Sequence, residues 1–435
     1  MSNGPVALAL TVFLGAASFV SAQSREEKVR RDRKQVEAEG RWIYNDFAAA
    51  RDEARRSGKP ILAVLRCIPC EECVKLDEEV IRQDPLVKKH LDRFVRVRLV
   101  STNGLDLSLF QFDTDQSFAV FFLEADGTVL GRFGTRSHRT EWRGDVSVEG
   151  LAEAMQKALT LHAAYPANKP ALAGKTGPQP EFASPEKMPP LAGKFGPSLD
   201  YQGNVVKSCI HCHQIGDAVR EMALKDGKPL DDTVLFPFPH PRTIGLTLDP
   251  KKSATILAVE KESYAGKAGL QPGDSLTELE GQPLLSIADV QWVLNSANPA
   301  GATLRGKRTR GDTVEAFALE LPKAWRKRDD FAWRASTWGL RRAALGGIFF
   351  KPGTGPDEGK LVIEHVGAFA PHDLAKRAGF QKGDVLVSWD GKSDFTRETD
   401  LICHMLQTRA GNRDPVRVTV LRDGREKELK LAVRP

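Results

Sequence analysis

Gly58-Lys59-Pro60-Ile61-Leu62-Ala63-Val64-Leu65-Arg66-Cys67-Ile68-Pro69-Cys70-Glu71-Glu72-Cys73 is the stretch on which the fold of this chain turns. Gly58 and Pro60 punctuate the chain, and the apolar run Ile61 to Leu65 then reads as a buried strand. Cysteines at three-residue spacing follow it, and the residues through Ile81 carry a helical pattern. The start of such a helix presents unpaired N–H groups and a partial positive charge, which lower a nearby thiol pKa and raise its thiolate fraction. Cys70 with Cys73 is one candidate working pair; Cys67 with Cys70, enclosing Pro69, is the other. Cys70 belongs to both and is expected to be the central thiol. Glu71 and Glu72 oppose thiolate formation by charge.

Strand, CxxC and helix in that order is the thioredoxin arrangement. Upstream lie Trp42, Phe47 and an Ala/Arg helix; downstream come Asp84-Pro85, the stretch Leu91 to Leu99, and Phe118 to Leu123 turning at Asp126-Gly127 into Thr128 to Phe133. The chain thus resembles thioredoxin-like domains over roughly residues 40 to 162. The resemblance implies attacking and resolving thiols at Cys70 and Cys73. It departs from the family at Gln116-Ser117-Phe118, where relatives keep a proline facing the cysteines. An inert helix-terminal disulfide or a three-thiolate metal site is the alternative reading of this cluster.

A second cysteine motif, Cys209-Ile210-His211-Cys212-His213, has the C-x-x-C-H spacing that attaches a c-type haem. Two thiols so spaced can add to both vinyl groups of one covalent haem while His213 ligates the iron. Met222 is the expected sixth ligand, on a helix over Ile215 to Leu224 that folds back, with Met188, His240 and His211 as competitors. With His211 beside them, the same residues also suit a small zinc or disulfide turn.

Composition bounds what surrounds these motifs. The chain has 435 residues, 41% of them hydrophobic, enough for several packed domains. A net charge of +6 is spread along the sequence without a basic patch or tail, so no nucleic-acid partner is expected. Val6 to Val20 is an uncharged apolar run before Val20-Ser21-Ala22, which reads as a signal peptide and a periplasmic or otherwise exported protein; a retained N-terminal anchor is the alternative. No later stretch is long and apolar enough to span a membrane.

The expected fold class is multidomain α/β plus α+β. Its parts are a signal peptide (1–22), a charged lead (23–39) read as a solvated helix or disordered arm, and a thioredoxin-like domain (40–165). An extended Pro-rich linker (166–199) isolates that domain from a haem segment (200–241). An internal repeat follows: Ala268-Gly269-Leu270-Gln271-Pro272-Gly273-Asp274 recurs as Ala378-Gly379-Phe380-Gln381-Lys382-Gly383-Asp384, each after an alternating strand and before a β pair and a helix. Both copies (242–322 and 338–435) resemble the PDZ domain of bacterial envelope proteins, and a Trp/Arg connector (323–337) joins them. The resemblance implies capture of protein or peptide C-termini, with the carboxylate on backbone amides around Gly245 and Leu246 in the first copy and Gly347 and Ile348 in the second. Trp338-Gly339-Leu340 is a rival loop in the second copy, and each copy is equally readable as a packing module. Cys403 reads as a buried core thiol.

The whole order resembles bacterial thioredoxin/PDZ-domain (seleno)proteins. Two functions are open: an exported thiol–disulfide oxidoreductase or thiol peroxidase with a covalent haem, a redox partner protein and PDZ-bound clients; or a scaffold or sensor that binds peptide C-termini, its cysteine motifs structural or metal-binding. No Gly-x-Ser-Gly turn supports a serine protease.

Overall fold

The computed structural model describes residues 24–66, 85–115, 118–135, 146–334 and 336–433. The leader, Cys67, Cys70, Cys73 and residues 116–117 lie outside these ranges. Helix α1 (Arg25–Glu39), strand β1 (Ile43–Tyr44), α2 (Phe47–Ser57), β2 (Ile61–Arg66), α3 (Pro85–Leu91), β3 (Val95–Leu99), β4 (Phe118–Leu123), β5 (Val129–Thr135) and α4 (Val148–Ala163) build the first unit. Its sheet has the order β1-β3-β2-β4-β5, with β2 parallel to β3 and antiparallel to β4. Side chains alternate across a strand, so Leu62 and Val64 point into one cluster with Leu151 and Met155 of α4, while Ile61, Ala63 and Leu65 point into another with Ala50 and Ala54 of α2. Helices cover both faces, which is why β2 is a continuous apolar run rather than an alternating one.

Residues 166–199 are not the extended linker that their prolines suggest. They fold into short helical turns at Lys169–Leu172, Ala173–Lys175 and Pro185–Lys187. Leu172 joins the α4 cluster, and Met188 and Leu191 pack with Ile210, Ile215 and Ala218. Proline opens a helical turn as readily as it extends a chain, because its missing N–H is unneeded there; the three apolar anchors decide between the two. The expected isolation of the first unit from the cysteine motif is therefore corrected. The charged lead is a helix, exposed along most of its length, that docks through its buried Val29 and Val36.

Helix α5 (Cys212–Lys225) starts within the C-x-x-C-H motif. Beyond it, β6 (Leu246–Leu248), β7 (Ile256–Val259), β8 (Ser275–Leu279), β9 (Gln282–Pro283), α6 (Ile287–Ser296), β10 (Ala302–Arg310) and β11 (Thr313–Leu321) form one PDZ-like unit. Helix α7 (Thr337–Leu345), β12 (Ile348–Pro352), β13 (Leu361–Val366), β14 (Val385–Trp389), α8 (Glu398–Thr408), β15 (Val416–Arg422) and β16 (Arg425–Leu431) form the other, with sheet order β12-β13-β14-β15-β16.

The repeated turn is built alike in both. Asp274 accepts from the Gln271 N–H at 2.9 Å and takes Arg310 on both carboxylate oxygens at 2.7 and 2.9 Å. Asp384 accepts from the Gln381 N–H at 3.0 Å and takes Arg422 at 2.6 and 2.7 Å. Arg310 and Arg422 also donate to the carbonyls of Gly269 and Gly379. The recurrence in sequence is thus a recurrence of one buried carboxylate that ties a turn to the strand across from it.

Candidate functional site

Cys209 and Cys212 are not held in a small domain of their own. The loop after β3 grips them: Thr102 donates its N–H and hydroxyl to the Ile210 carbonyl at 3.0 and 2.9 Å, and Asn103 accepts from the Ile210 N–H at 2.8 Å and donates to the Ser208 carbonyl at 2.9 Å. Helix α1 closes the other side. Glu26 accepts from the N–H groups of Val205 and Val206 at 3.2 and 2.8 Å, and Arg30 donates to the carbonyl of Gly203 at 2.7 Å. Asp32 of the same helix pairs with Arg66 at the end of β2, the residue just before Cys67 in sequence. A cavity of about 10 Å³ separates Leu65, Arg66 and residues 99–102 from Cys209, Ile210, His211 and Cys212, room for about one water.

The thiols differ in setting. Cys209 is 6% exposed among Val29, Val100, Leu199 and Val205, and burial pushes its pKa up to about 12. Cys212 is half-buried against the first unit's α2-side cluster, in the first turn of α5, where His211 donates its N–H to Gln214 Oε1 at 2.8 Å. His213 is half-exposed, its Nδ1 3.2 Å from Asp217. Burial and the neighbouring His213 push the His211 pKa down.

A covalent haem needs both sulfurs and the His213 imidazole to converge on one face of one macrocycle. Here Cys209 and Cys212 line one water-sized space against the end of β2, while His213 lies half-exposed beside Asp217. The residues as packed do not fit a haem. Met222 also does not take the position expected of it. Helix α5 runs unbroken from Cys212 to Lys225, so Met222 lies about 13 Å along the axis from His213 and cannot close on an iron from the opposite side. A cavity of about 320 Å³ does flank α5, walled by Phe112, Ile215, Val219, Pro237 and Phe238 with Arg220, but neither cysteine lines it.

Cys403 lies in α8 at 6% exposure in the second PDZ-like core, its thiol pKa pushed well up by burial. Among the described residues no group of three or more His, Cys, Asp and Glu is placed to hold a metal ion, and no helix is long and apolar enough to cross a membrane.

The carboxylate-loop candidates stand at the heads of strands. Gly245 (φ +84°) precedes β6, and Gly347 (φ +92°) precedes β12. The Gly245 and Gly347 N–H groups donate to Arg242 and Arg341 carbonyls within their own turns, so any carboxylate would be met by neighbouring amides. Trp338-Gly339-Leu340 is helical, part of α7, and drops out as a rival loop. Strand β12 is an edge, and its Phe350 N–H donates to Glu398 Oε1 of α8 at 2.8 Å while Arg341 of α7 pairs with Glu398 Oε2 at 2.6 Å. Sequence patterning carries no signal for this closure, which joins residues 57 apart.

Residues 42–125 match a thioredoxin-like family model and residues 255–305 a PDZ domain model. The chain is 28% identical over 142 residues to the periplasmic serine endoprotease DegP of Salmonella typhimurium, 33% of this chain and 27% of that protein. It thus spans about a quarter of that curated relative. Among solved structures, the PDZ domain of EpsC from Vibrio cholerae is 18% identical, covering 21% of this chain and 87% of that one, with a TM-score of 0.17. An HtrA-type protease, a variant of AlgW with a decapeptide, is 15% identical, covering 42% and 54%, with a TM-score of 0.21.

Proposed function

We propose that the chain is an exported thiol–disulfide redox protein whose PDZ-like units recruit proteins by their C-termini. One observation carries the redox half. Strand β2 is the central strand of a thioredoxin-like sheet, and the Cys67, Cys70 and Cys73 cluster follows its C-terminal end, where open α/β sheets place their chemistry. The N-terminal apolar run and the periplasmic address of the curated relative support export. The PDZ match over residues 255–305, and in the other unit the place of β12 at the edge of its sheet, support peptide addition to a strand.

Alkylation at neutral pH tests the redox half: Cys70 reacts first, Cys73→Ser traps a mixed disulfide through Cys70, and exchange survives Cys67→Ser. Loss of exchange in Cys67→Ser moves the working pair to Cys67 and Cys70. If all three thiols react no faster than a free thiol, the redox reading fails and the scaffold reading replaces it. For the PDZ-like half, a peptide with a free carboxylate binds the full chain better than its amidated form, because amidation removes the anion that backbone amides stabilise. Equal titration curves for both peptides would leave these units as packing modules.

A further inference from the structure

We propose that the cavity beside α5 binds a small zwitterion with an apolar body, a free α-amino acid whose side chain is aliphatic or aromatic. The site is separate from the thiols and from the PDZ-like strand edges, so it gives the chain a small-molecule ligand beyond the protein clients of the reading above.

The cavity measures about 320 Å³, which is the size of a small-molecule site and far more than one water needs. Its wall is drawn from residues 112–115 before β4, from α5, and from residues 233–238. Phe112, Ile215, Val219, Pro237 and Phe238 supply its apolar part. Val219 is 38% exposed, so it stands where the cavity meets solvent.

The polar part of the wall is charged and incompletely bonded. Arg220 is 5% exposed, and its Nε and Nη1 have no hydrogen-bond partner. Its Nη2 lies 3.8 Å from Asp115 Oδ2, too long for a hydrogen bond, and that oxygen already accepts from Arg334 at 3.0 Å and Ser336 at 2.8 Å. A guanidinium carries five N–H donors, and leaving them unbonded out of water costs free energy that a carboxylate in the cavity recovers. Space beside this group is kept open by Gly216, one turn earlier in α5. A Cβ there would lie 3.4 Å from Arg220 Nη1 and 3.0 Å from Thr114 Oγ1. Glycine inside a helix is destabilising relative to alanine, so this opening is maintained at the expense of the helix.

The opposite charge stands on the same wall. Asp113 and Asp115 line the cavity, and each keeps one carboxylate oxygen, Oδ2 and Oδ1 respectively, without a hydrogen-bond partner. Arg334 and Arg220 balance these two aspartates charge for charge. A ligand of net charge would upset that buried balance, whereas one that carries both signs preserves it. An α-amino acid joins the three required groups at one carbon: a carboxylate for Arg220, an ammonium for the aspartates, and a side chain for the apolar wall.

Titration calorimetry on the full chain tests this, with leucine and phenylalanine as probes. Both should saturate the site. Glycine, isocaproate and isoamylamine, which lack the apolar body, the amine and the carboxylate in turn, should each bind at least about tenfold more weakly than leucine, because each leaves part of the site unpaired or empty. Arg220→Met should abolish leucine binding, and Gly216→Ala should weaken it while keeping every charge in place. If Arg220→Met does not fold, Val219→Trp, which blocks the cavity from an exposed position, serves instead and should also abolish binding. Absence of saturable heat with leucine and phenylalanine overturns the proposal. So does glycine, isocaproate or isoamylamine binding as tightly as leucine, or leucine binding that is undiminished in any of the three variants.

Discussion

Asp289 gathers donors from parts of the chain far apart in sequence. It accepts the N–H of Arg132 at 3.1 Å and of Leu285 at 2.9 Å, and pairs with Lys175 at 3.0 Å, with both ionic groups at most 1% exposed. Removing a buried charge's partner leaves it uncompensated, which costs about 3–5 kcal/mol. Asp289→Leu orphans a lysine and two amides, so its urea midpoint should fall by that order; Lys175→Met leaves Asp289 its two amides and should fall less. A larger loss in Lys175→Met would contradict this assignment. His90 in α3 offers a pH handle, because burial, then Lys89 and Arg93, lower its pKa below 6.5. The unfolded chain binds that proton first, so stability is retained above about pH 6.5 and falls as the pH drops below it. The His90→Gln variant should lose that slope in denaturation midpoints between about pH 7 and 5. None of these partnerships is legible in the sequence, since a buried ion pair between residues 114 apart leaves no periodic trace. The cysteine motifs are legible because spacing within four residues is itself the signal.

At the level of elements, the strands read correctly where burial imposes a pattern: β2 as a continuous run, and the PDZ-like strands as alternations on either side of a repeated turn. Periodicity places helix α5 three residues late, because its first turn is occupied by the cysteine motif rather than by apolar residues at helical spacing. The two glycine loops differ in what fixes them. A Cβ on Gly347 would meet the His372 carbonyl oxygen at 2.0 Å, whereas one on Gly245 would meet the Ser263 side chain at 2.1 Å. Both also hold φ above +80°. Both contacts are to atoms that the backbone fixes, a carbonyl oxygen and a β-carbon, so Gly347→Ala and Gly245→Ala should each lower the melting temperature, by the equivalent of about 1–3 kcal/mol. An unchanged melting temperature in either variant would mean that its turn relaxes around the added methyl.

Across the whole molecule, the units meet through buried charge rather than through flexible joints. Arg334, between the PDZ-like units and 1% exposed, pairs with Asp113 at 2.7 Å and Asp115 at 3.0 Å in the first unit, and donates to the Pro237 carbonyl at 2.7 Å. Arg326 caps the end of α6 through the carbonyls of Leu294, Asn295 and Ala297. Such a junction should make thermal unfolding of the units a single cooperative transition, and residues 166–199 should resist limited proteolysis despite their prolines. Early, selective cleavage there would show that the joint opens. Helix α1 sets a further condition on this assembly. Its docking partners, from Gly203 to Val206, lie about 180 residues downstream. A chain emerging from its N-terminus carries that helix without these partners until those residues have also appeared, which makes its docking against the second cysteine motif a late event in folding. Until then, the second cysteine motif has no floor to settle on. The helix thus acts as a latch that closes only on a chain complete through its second cysteine motif.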